Sequence, residues 1–177
     1  MSDARFRPVP PRDGSGPRVP LRAQLPLLDR LIDDAPEQAQ DNALSATEAL
    51  GLLRRSVRRD IETLLNARRR WRSWPAALKE LNVSPLNYGI PDCTGAAYHG
   101  AAGREALCRE IEAVLRLFEK RFRSVSVTAA PQDEQDTTLR LRIDALLHAE
   151  PAPEPVSFDM ELNPVTADAV VRPLDGG

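Results

Sequence analysis

Paired carboxylates are the first chemistry to look for, since this 177-residue chain is rich in Asp and Glu. A glycosidase needs two carboxyl groups facing one cleft, one of them with a raised pKa so that it can donate a proton. Glu119, at the end of a helix, and Asp144, in a strand, could be proposed. The alternation around Asp144 puts it on the polar face of its strand, where a solvated carboxylate is the ordinary state. No pair is singled out, so we predict no catalytic residue and no enzymatic activity.

Other motifs that carry catalytic or cofactor chemistry are also missing from the sequence. His99 and His148 stand alone, with no HExxH pattern and no nucleophile elbow such as GxSxG nearby. The chain has neither a GxxxxGK(S/T) phosphate loop nor a GxGxxG fingerprint after a strand. Cys93 and Cys108 fit neither a CxxC nor a zinc-ligand spacing. We therefore expect reduced thiols, no disulfide, no metal and no cofactor.

Arginine clustering is the most conspicuous feature of the chain. Residues 54–72 contain eight arginines and two acidic side chains, whereas the whole chain has a net charge of only -2. The first four arginines lie on an amphipathic helix, and we interpret them as its solvated face. Arg68, Arg69 and Arg70 follow that helix, and three neighbouring guanidinium groups cannot all pair locally. We favour a contact between this segment, starting at Asn66, and an acidic protein partner.

The same arginines leave a nucleic-acid interpretation to be weighed. Trp71 and Trp74 lie beside them and could stack on bases, but two aromatic side chains at the edge of one basic helix are a weak signal. Packing in a core or a protein interface is the favoured role for both tryptophans. We expect no nucleic-acid partner.

Composition and length favour a single globular domain. The chain is 42% hydrophobic and 28% charged, and its length suits about one domain. No apolar run approaches the roughly 20 residues of a bilayer-spanning helix, and the start lacks the apolar region of a secretory signal, so we expect a cytosolic protein without direct membrane insertion. Residues 1–22 are rich in Pro and predict a flexible, disordered tail. Residues 23–36 predict a short docking helix, which packs either on its own domain or on a partner.

Two amphipathic helices should follow. Ser45 can cap the first while Glu48 reaches back to it in a capping box, and this helix runs to about Asn66. The second covers about residues 103–122. Apolar residues recur every three or four positions in both, so that each buries one face. In the first helix this stripe comprises Leu50, Leu53, Val57, Ile61 and Leu64.

Three runs of alternating apolar residues predict strands with one buried face, at Val125–Ala129, Leu139–Leu147 and Val156–Leu162. Their short connections favour an antiparallel meander. A register that places Arg142 opposite Asp159 also places Arg140 opposite Glu161. The predicted fold class is α+β, with two main helices packed on one face of a small antiparallel sheet and a flexible Pro-rich N-terminal tail. The domain should cover residues 45–172.

Three segments of the chain match the sequence signatures of one protein family. Ser56–Arg70 reads SVRRDIETLLNARRR and resembles the family signature SVRRDLxxLLNTRR. Ser84–Gly95 reads SPLNYGIPDCTG and is similar to the family's SVLNYGLPDFTG, with Cys93 in place of an aromatic residue. Leu27–Asp34 reads LLDRLIDD. All three segments resemble TssE, the family of type VI secretion baseplate subunits, and Leu27–Asp34 is like the opening of TssE proteins. The second segment supplies a structural motif formed by Asn87, Tyr88, Gly89, Pro91 and Asp92.

The resemblance implies a structural component of a contractile injection machine, similar to the baseplate wedge proteins of contractile phages. Its implied partners are the TssF, TssG and TssK baseplate subunits and the TssB/TssC sheath, whose first ring it would start by strand pairing. The implied location is cytoplasmic, in the baseplate. The family is often labelled lysozyme-like, so a peptidoglycan-cleaving hydrolase is the alternative, and a nucleic-acid-binding module is the second.

The family carries a Glu-Pro-Arg motif at the end of its second helix, used to engage the wedge core. The matching residues here are Glu119, Lys120 and Arg121. The charged pair is kept, whereas lysine replaces a proline that would fix φ and help to end the helix. By the resemblance, Glu119 and Arg121 bind the wedge core, and Arg68 to Arg70 support that interface.

Overall fold

The computed structural model describes residues 27–32, 37, 45–69, 73–93, 100–131, 138–149, 152–163 and 165–174. The predicted tail at residues 1–22 lies outside these ranges. The main elements are helices α1 (Leu27–Leu31), α2 (Ala46–Asn66) and α3 (Gly100–Phe118) and strands β1 (Phe122–Ala129), β2 (Leu139–Leu147), β3 (Glu154–Leu162) and β4 (Ala169–Pro173). Short 3-10 helices at Lys79–Val83 and Pro85–Asn87 lie between α2 and α3. None of the helices in the described ranges is long and apolar enough to cross a membrane.

Helix α2 begins at the predicted capping box. The Ser45 N–H donates to Glu48 Oε2 at 2.9 Å, and the Glu48 N–H donates to Ser45 Oγ at 3.2 Å. These bonds satisfy two backbone donors that the first helical turn leaves without partners. The helix ends at Asn66, as predicted. Most of the predicted stripe is buried, namely Leu53, Val57, Ile61 and Leu64.

Helix α3 lies closer to the N-terminus than its predicted range of about 103–122. It begins at Gly100, because the alanines that follow are strong helix formers, and it ends at Phe118. Beyond it, the Phe122 N–H donates to Glu119 O at 3.3 Å and closes a β-turn. Phe122 therefore belongs to β1, and residues 119–121 form the whole connection between helix and strand.

The strands pair in the order β1-β2-β3-β4, and every pair is antiparallel, which confirms the predicted meander. The predicted register is confirmed as well, since Arg142 lies opposite Asp159 and Arg140 opposite Glu161. Arg140 Nε lies 3.7 Å from Glu161 Oε1. Arg142 Nε pairs instead with Asp144 on its own strand, at 3.1 Å.

Strand β4 was not among the predicted elements. It has five residues and ends at Pro173. Ala169 and Val171 are buried while Val170 and Arg172 are exposed, but an alternation this short cannot be told from a loop in the sequence.

A single cluster of buried side chains fills the space between the two long helices and one face of the sheet. Helix α3 packs on β1, and α2 packs on β4. The fully buried side chains come from both helices and the sheet, and include Ile61, Leu65, Leu107, Ile111, Ile143, Phe158 and Met160. Both helices therefore cover the same face of the sheet, which confirms the predicted α+β fold.

Candidate partner-binding site

The turn between α3 and β1 holds the two charged residues that the family resemblance assigns to partner contact. Glu119 is only 7% exposed. Its Oε1 accepts hydrogen bonds from the Arg121 N–H at 3.0 Å and from Arg121 Nε at 2.7 Å. Arg121 Nη2 also donates to Glu119 Oε2. The guanidinium and one backbone donor together fix the orientation of this buried carboxylate.

Arg121 connects the same turn to α2. Its Nη2 donates to Asp60 Oδ2 at 2.8 Å and its Nη1 donates to Ser56 Oγ at 3.4 Å. Arg59 approaches from the other side, with Nε donating to Asp60 Oδ1 at 3.3 Å and Nη2 donating to Ser56 Oγ at 3.2 Å. We call the side chains of Ser56, Arg59, Asp60, Glu119 and Arg121 the charged cluster.

Helix α1 is attached to the charged cluster through Asp29. Arg59 Nη1 donates to Asp29 Oδ1 at 2.9 Å. The apolar side chains of this segment are 51% to 72% exposed, namely those of Leu27, Leu28, Leu31 and Ile32. An apolar surface therefore lies beside the cluster.

The pKa values of three side chains in this region are shifted in directions that favour their charged forms. Burial opposes ionisation of Asp29, but hydrogen bonds from Arg59 and Ser56 outweigh it and lower the pKa of the carboxyl. The hydrogen bond to Asp29 raises the pKa of Arg59. Burial opposes the charge of Arg121, yet its hydrogen bonds with Glu119 and Asp60 raise its pKa. The arrangement is that of an ion-pair network.

The pKa values of Asp144 and Cys93, which lie outside the charged cluster, are shifted as well. A hydrogen bond from Ser157 and the neighbouring Arg142 lower the pKa of Asp144, the opposite of what a general acid requires. Burial raises the pKa of the Cys93 thiol to about 11, which disfavours the nucleophilic thiolate. Cys93 and Cys108 are both buried free thiols. Within the described ranges, no group of three or more His, Cys, Asp and Glu residues could hold a metal ion.

Asn66 contacts β4 of its own chain. Its Nδ2 donates to Ala169 O at 2.8 Å and its Oδ1 accepts from the Ala169 N–H at 2.9 Å. Nδ2 also donates to Glu62 O at 2.9 Å. The side-chain amide therefore pairs with Ala169 as a neighbouring strand would, and it fixes β4 against the end of α2.

Arg68 and Arg69 both have partners within the chain. Arg68 donates to Leu65 O at 3.0 Å and to Ala167 O. Arg69 Nη2 lies 3.6 Å from Glu110 Oε2 on α3. Ala167 in the loop before β4 and Glu110 on α3 are distant in the sequence, so the local sequence does not reveal these two acceptors. Residue 70 lies outside the described ranges, and partner contact by this segment stays a prediction.

The structural motif places Gly89 directly against the end of α2. The Ile90 N–H donates to Ala67 O at 3.0 Å, and the Arg69 N–H donates to Ile90 O at 2.9 Å. Gly89 has a φ of +106°, and a Cβ there would lie 2.3 Å from Ala67 O. Only glycine fits this close approach of two backbone segments.

The neighbours of Gly89 in the motif fold around it. Asn87 Nδ2 donates to Asn82 O at 2.8 Å. The Tyr88 ring meets Phe118 edge to face, with centroids 5.3 Å apart. Pro91 O accepts a hydrogen bond from Cys93 Sγ at 3.1 Å, and Asp92 lies between them in the chain. Cys93 thus occupies, in a buried position, the place of the family's aromatic residue.

Sequence reasoning identified Glu119 and Arg121 but not the α2 side chains around them. Ser56, Arg59 and Asp60 are spaced i, i+3 and i+4, which puts them on one helix face. That spacing was the available signal, but Arg59 was interpreted as part of a solvated face. Asp29 lies 30 residues from Arg59 in the chain, and no local pattern joins the two.

The comparison with protein-family profiles gives a match. The profile of the family described as baseplate wedge protein gp25 matches residues 52–152. That range includes most of α2, with α3, β1, β2 and every member of the charged cluster. Neither the curated proteins nor the solved structures contain a significant match. The chain therefore belongs to the family of baseplate wedge protein gp25, which includes the TssE proteins and implies contacts with other baseplate subunits.

Proposed function

We propose that this chain is the TssE-type structural subunit of a type VI secretion baseplate, in the cytoplasm at the inner face of the cytoplasmic membrane. It binds the TssF, TssG and TssK subunits and offers a strand edge to the first ring of the TssB/TssC sheath. The observation that carries the proposal is the wedge-protein family match over residues 52–152. The segment Leu27–Asp34, which resembles the opening of TssE proteins, favours a secretion baseplate over a phage one.

The exposure of the charged cluster supports a binding role for this face. The Arg59 and Asp60 side chains are 42% and 40% exposed, whereas the Arg121 side chain is 25% exposed and Glu119 is buried. A subunit approaching this face meets Arg59 and Asp60 first. The less exposed Arg121 holds the Asp60 carboxylate in place. Arg121 therefore contributes to binding partly by positioning Asp60. The exposed leucines of α1 extend the same surface with apolar area.

Co-purification with TssF and TssG tests the proposal. The tagged wild-type chain should retain both subunits, and Asp60→Asn or Arg121→Ala should reduce the retained amount about tenfold or more. A matched control is Arg172→Ala, which removes an exposed arginine from the opposite face of the sheet. Thermal melts of each variant, run in parallel, separate lost binding from lost folding. No retention by the wild type contradicts the function, and full retention by folded cluster variants contradicts the assigned site.

We also infer that the chain is not an enzyme. The lowered pKa of Asp144 and the intramolecular pairing of Glu119 support this inference. Purified protein should release no more soluble fragments from peptidoglycan than a buffer blank does, at any pH between about 4 and 9. Release that depends on either carboxylate would contradict the inference.

A further inference from the structure

The two edges of the sheet are both covered by side chains from the helices, but to different extents. The backbone groups of alternate residues in an edge strand point away from the sheet, and such groups are a template for another strand. In β4 these outward residues are Ala169 and Val171, and in β1 they include Val125 and Val127.

The β4 edge is closed. Asn66 occupies both backbone groups of Ala169, at 2.8 and 2.9 Å. Glu62 accepts from the Val171 N–H at 3.3 Å, and Arg58 donates to Val171 O at 3.2 Å. Arg58 and Glu62 also pair with each other at 2.9 Å. Pro173, at the end of the strand, has no N–H to offer.

The β1 edge is only half covered. Glu112 of α3 accepts from the Val127 N–H at 3.2 Å, and Arg116 donates to Val125 O at 3.3 Å. These two side chains pair with each other at 2.5 Å, and we call them the β1 cap. Within the described residues, the Val125 N–H and the Val127 carbonyl have no hydrogen-bond partner.

The sequence of β1 also lacks the features that keep edge strands from pairing. Natural edges are protected by charges, proline, bulges or shortness. Strand β1 has eight residues, and its register irregularity is confined to Phe122–Ser124. The stretch Ser124–Ala129 carries no charge and no proline. The side chains on its solvent-exposed face are Ser124, Ser126 and Thr128. They suit an uncharged, β-branched neighbour on an added strand.

We propose that β1 is the edge at which this chain accepts an extended, uncharged strand from a sheath subunit, and that the β1 cap leaves the backbone when that strand binds. The proposal rests on the function proposed above and adds which edge is used and what must move. Release is feasible because Arg116 is 63% exposed and both cap bonds are longer than those of Asn66. Strand β1 itself stays paired with β2 and packed on α3.

Site-specific photo-crosslinking in cells that assemble the machine tests which edge is used. A photoreactive amino acid replaces Ser126 on the exposed face of β1, and a matched variant carries it at Val170 on the exposed face of β4. We expect a crosslink to a sheath subunit from position 126 and none from position 170. A sheath crosslink from position 170, or a crosslink from position 126 to a second copy of this chain, overturns the proposal.

Removal of the β1 cap tests whether its two side chains must leave the β1 backbone before a sheath strand can bind. The double variant Glu112→Ala/Arg116→Ala should bind purified TssB/TssC about three- to tenfold more tightly, since a competing pair of hydrogen bonds is gone. The matched control Arg58→Ala/Glu62→Ala removes the equivalent pair at β4 and should give no gain. Hydrogen exchange at the Val127 amide should accelerate in the β1 variant alone. Unchanged or weaker sheath binding with an accelerated Val127 amide overturns the proposal.

The two proposals fail in different ways. If the wild-type chain binds TssB/TssC but position 126 gives no sheath crosslink, the edge assignment is wrong and the baseplate function stands. If the wild type binds neither the sheath nor TssF and TssG, the baseplate function is wrong and the edge assignment falls with it.

Discussion

Arg121 Nη2 and Asp60 Oδ2 lie 2.8 Å apart, although 61 residues separate them in the chain. The contact fixes the turn after α3 to the middle of α2. The same guanidinium is the partner of the buried Glu119 carboxylate. The Arg121 side chain therefore joins the turn after α3 to α2, and it compensates the charge of the buried Glu119 carboxylate.

Replacement of Arg121 by alanine should reduce the free energy of unfolding by about 3 kcal/mol, because it leaves the Glu119 carboxylate buried without its cation. Urea denaturation at pH 7 measures the change. Arg172→Ala is the control, since Arg172 is 63% exposed and pairs with Glu161 at 3.0 Å. That surface pair should contribute less than about 1 kcal/mol. Equal losses in the two variants would contradict the structural role given to Arg121.

The elements that the sequence predicts well are those with enough residues to establish a period. Helix α2 and strands β2 and β3 each repeat their burial pattern over nine or more residues, so core and solvent faces are unambiguous. The α3–β1 boundary was wrong because Phe118 and Phe122 are also i, i+4 and fit a continuing helix. Only the turn hydrogen bond from Phe122 to Glu119 shows where the helix ends.

The candidate site was accessible from the sequence only through the family resemblance. Composition gives no reason to prefer Glu119 over the other acidic residues, since its burial depends on how α2 and α3 pack. The helix side chains that cover the two sheet edges could not be identified from the sequence either. The i, i+4 pairs Arg58–Glu62 and Glu112–Arg116 resemble ordinary helix-surface pairs, and their contacts with edge strands appear only in three dimensions.

Gly89 should not tolerate a side chain. Gly89→Ala places a Cβ 2.3 Å from Ala67 O at a φ of +106°, so we expect a loss of at least about 2 kcal/mol in the free energy of unfolding. Gly51→Ala is the matched control, because the nearest atom to its Cβ is Arg55 Nη1 at 3.7 Å. That helical position should gain about 0.5 to 1 kcal/mol from the substitution. Thermal melts that show a similar stability for both variants would contradict the close approach.

Position 120 should accept the proline of the family motif. The hydrogen bond from the Phe122 N–H to Glu119 O makes Lys120 the second residue of a β-turn, where the fixed φ of proline is favoured. Lys120→Pro should leave the fold intact and raise the free energy of unfolding by up to about 1 kcal/mol. Lys120→Ala separates the loss of the lysine side chain from the effect of the ring. A large loss of stability in the proline variant alone would show that this turn differs from the family's.

The stability of the sheet should depend on pH through Asp144. Ser157 Oγ donates to Asp144 Oδ1 at 2.5 Å and, with Arg142, lowers the pKa of that carboxyl below its ordinary value of 3.8. A lowered pKa in the folded state means that the contribution is complete above pH 3.8 and is lost as the pH falls through the folded-state pKa.

Ser157→Ala should therefore cost about 1 kcal/mol at pH 7, a value reduced for the exposure of Asp144, and the cost should shrink as the pH falls below 3.8. Ser126→Ala, on the same face of the sheet, should change stability little at any pH. Urea denaturation between pH 7 and pH 2.5 gives the profile, and carbon NMR of the Asp144 carboxyl gives its pKa in each variant. A Ser157→Ala protein in which the Asp144 pKa does not rise would contradict the hydrogen bond as the main cause, because Arg142 alone would then account for the shift.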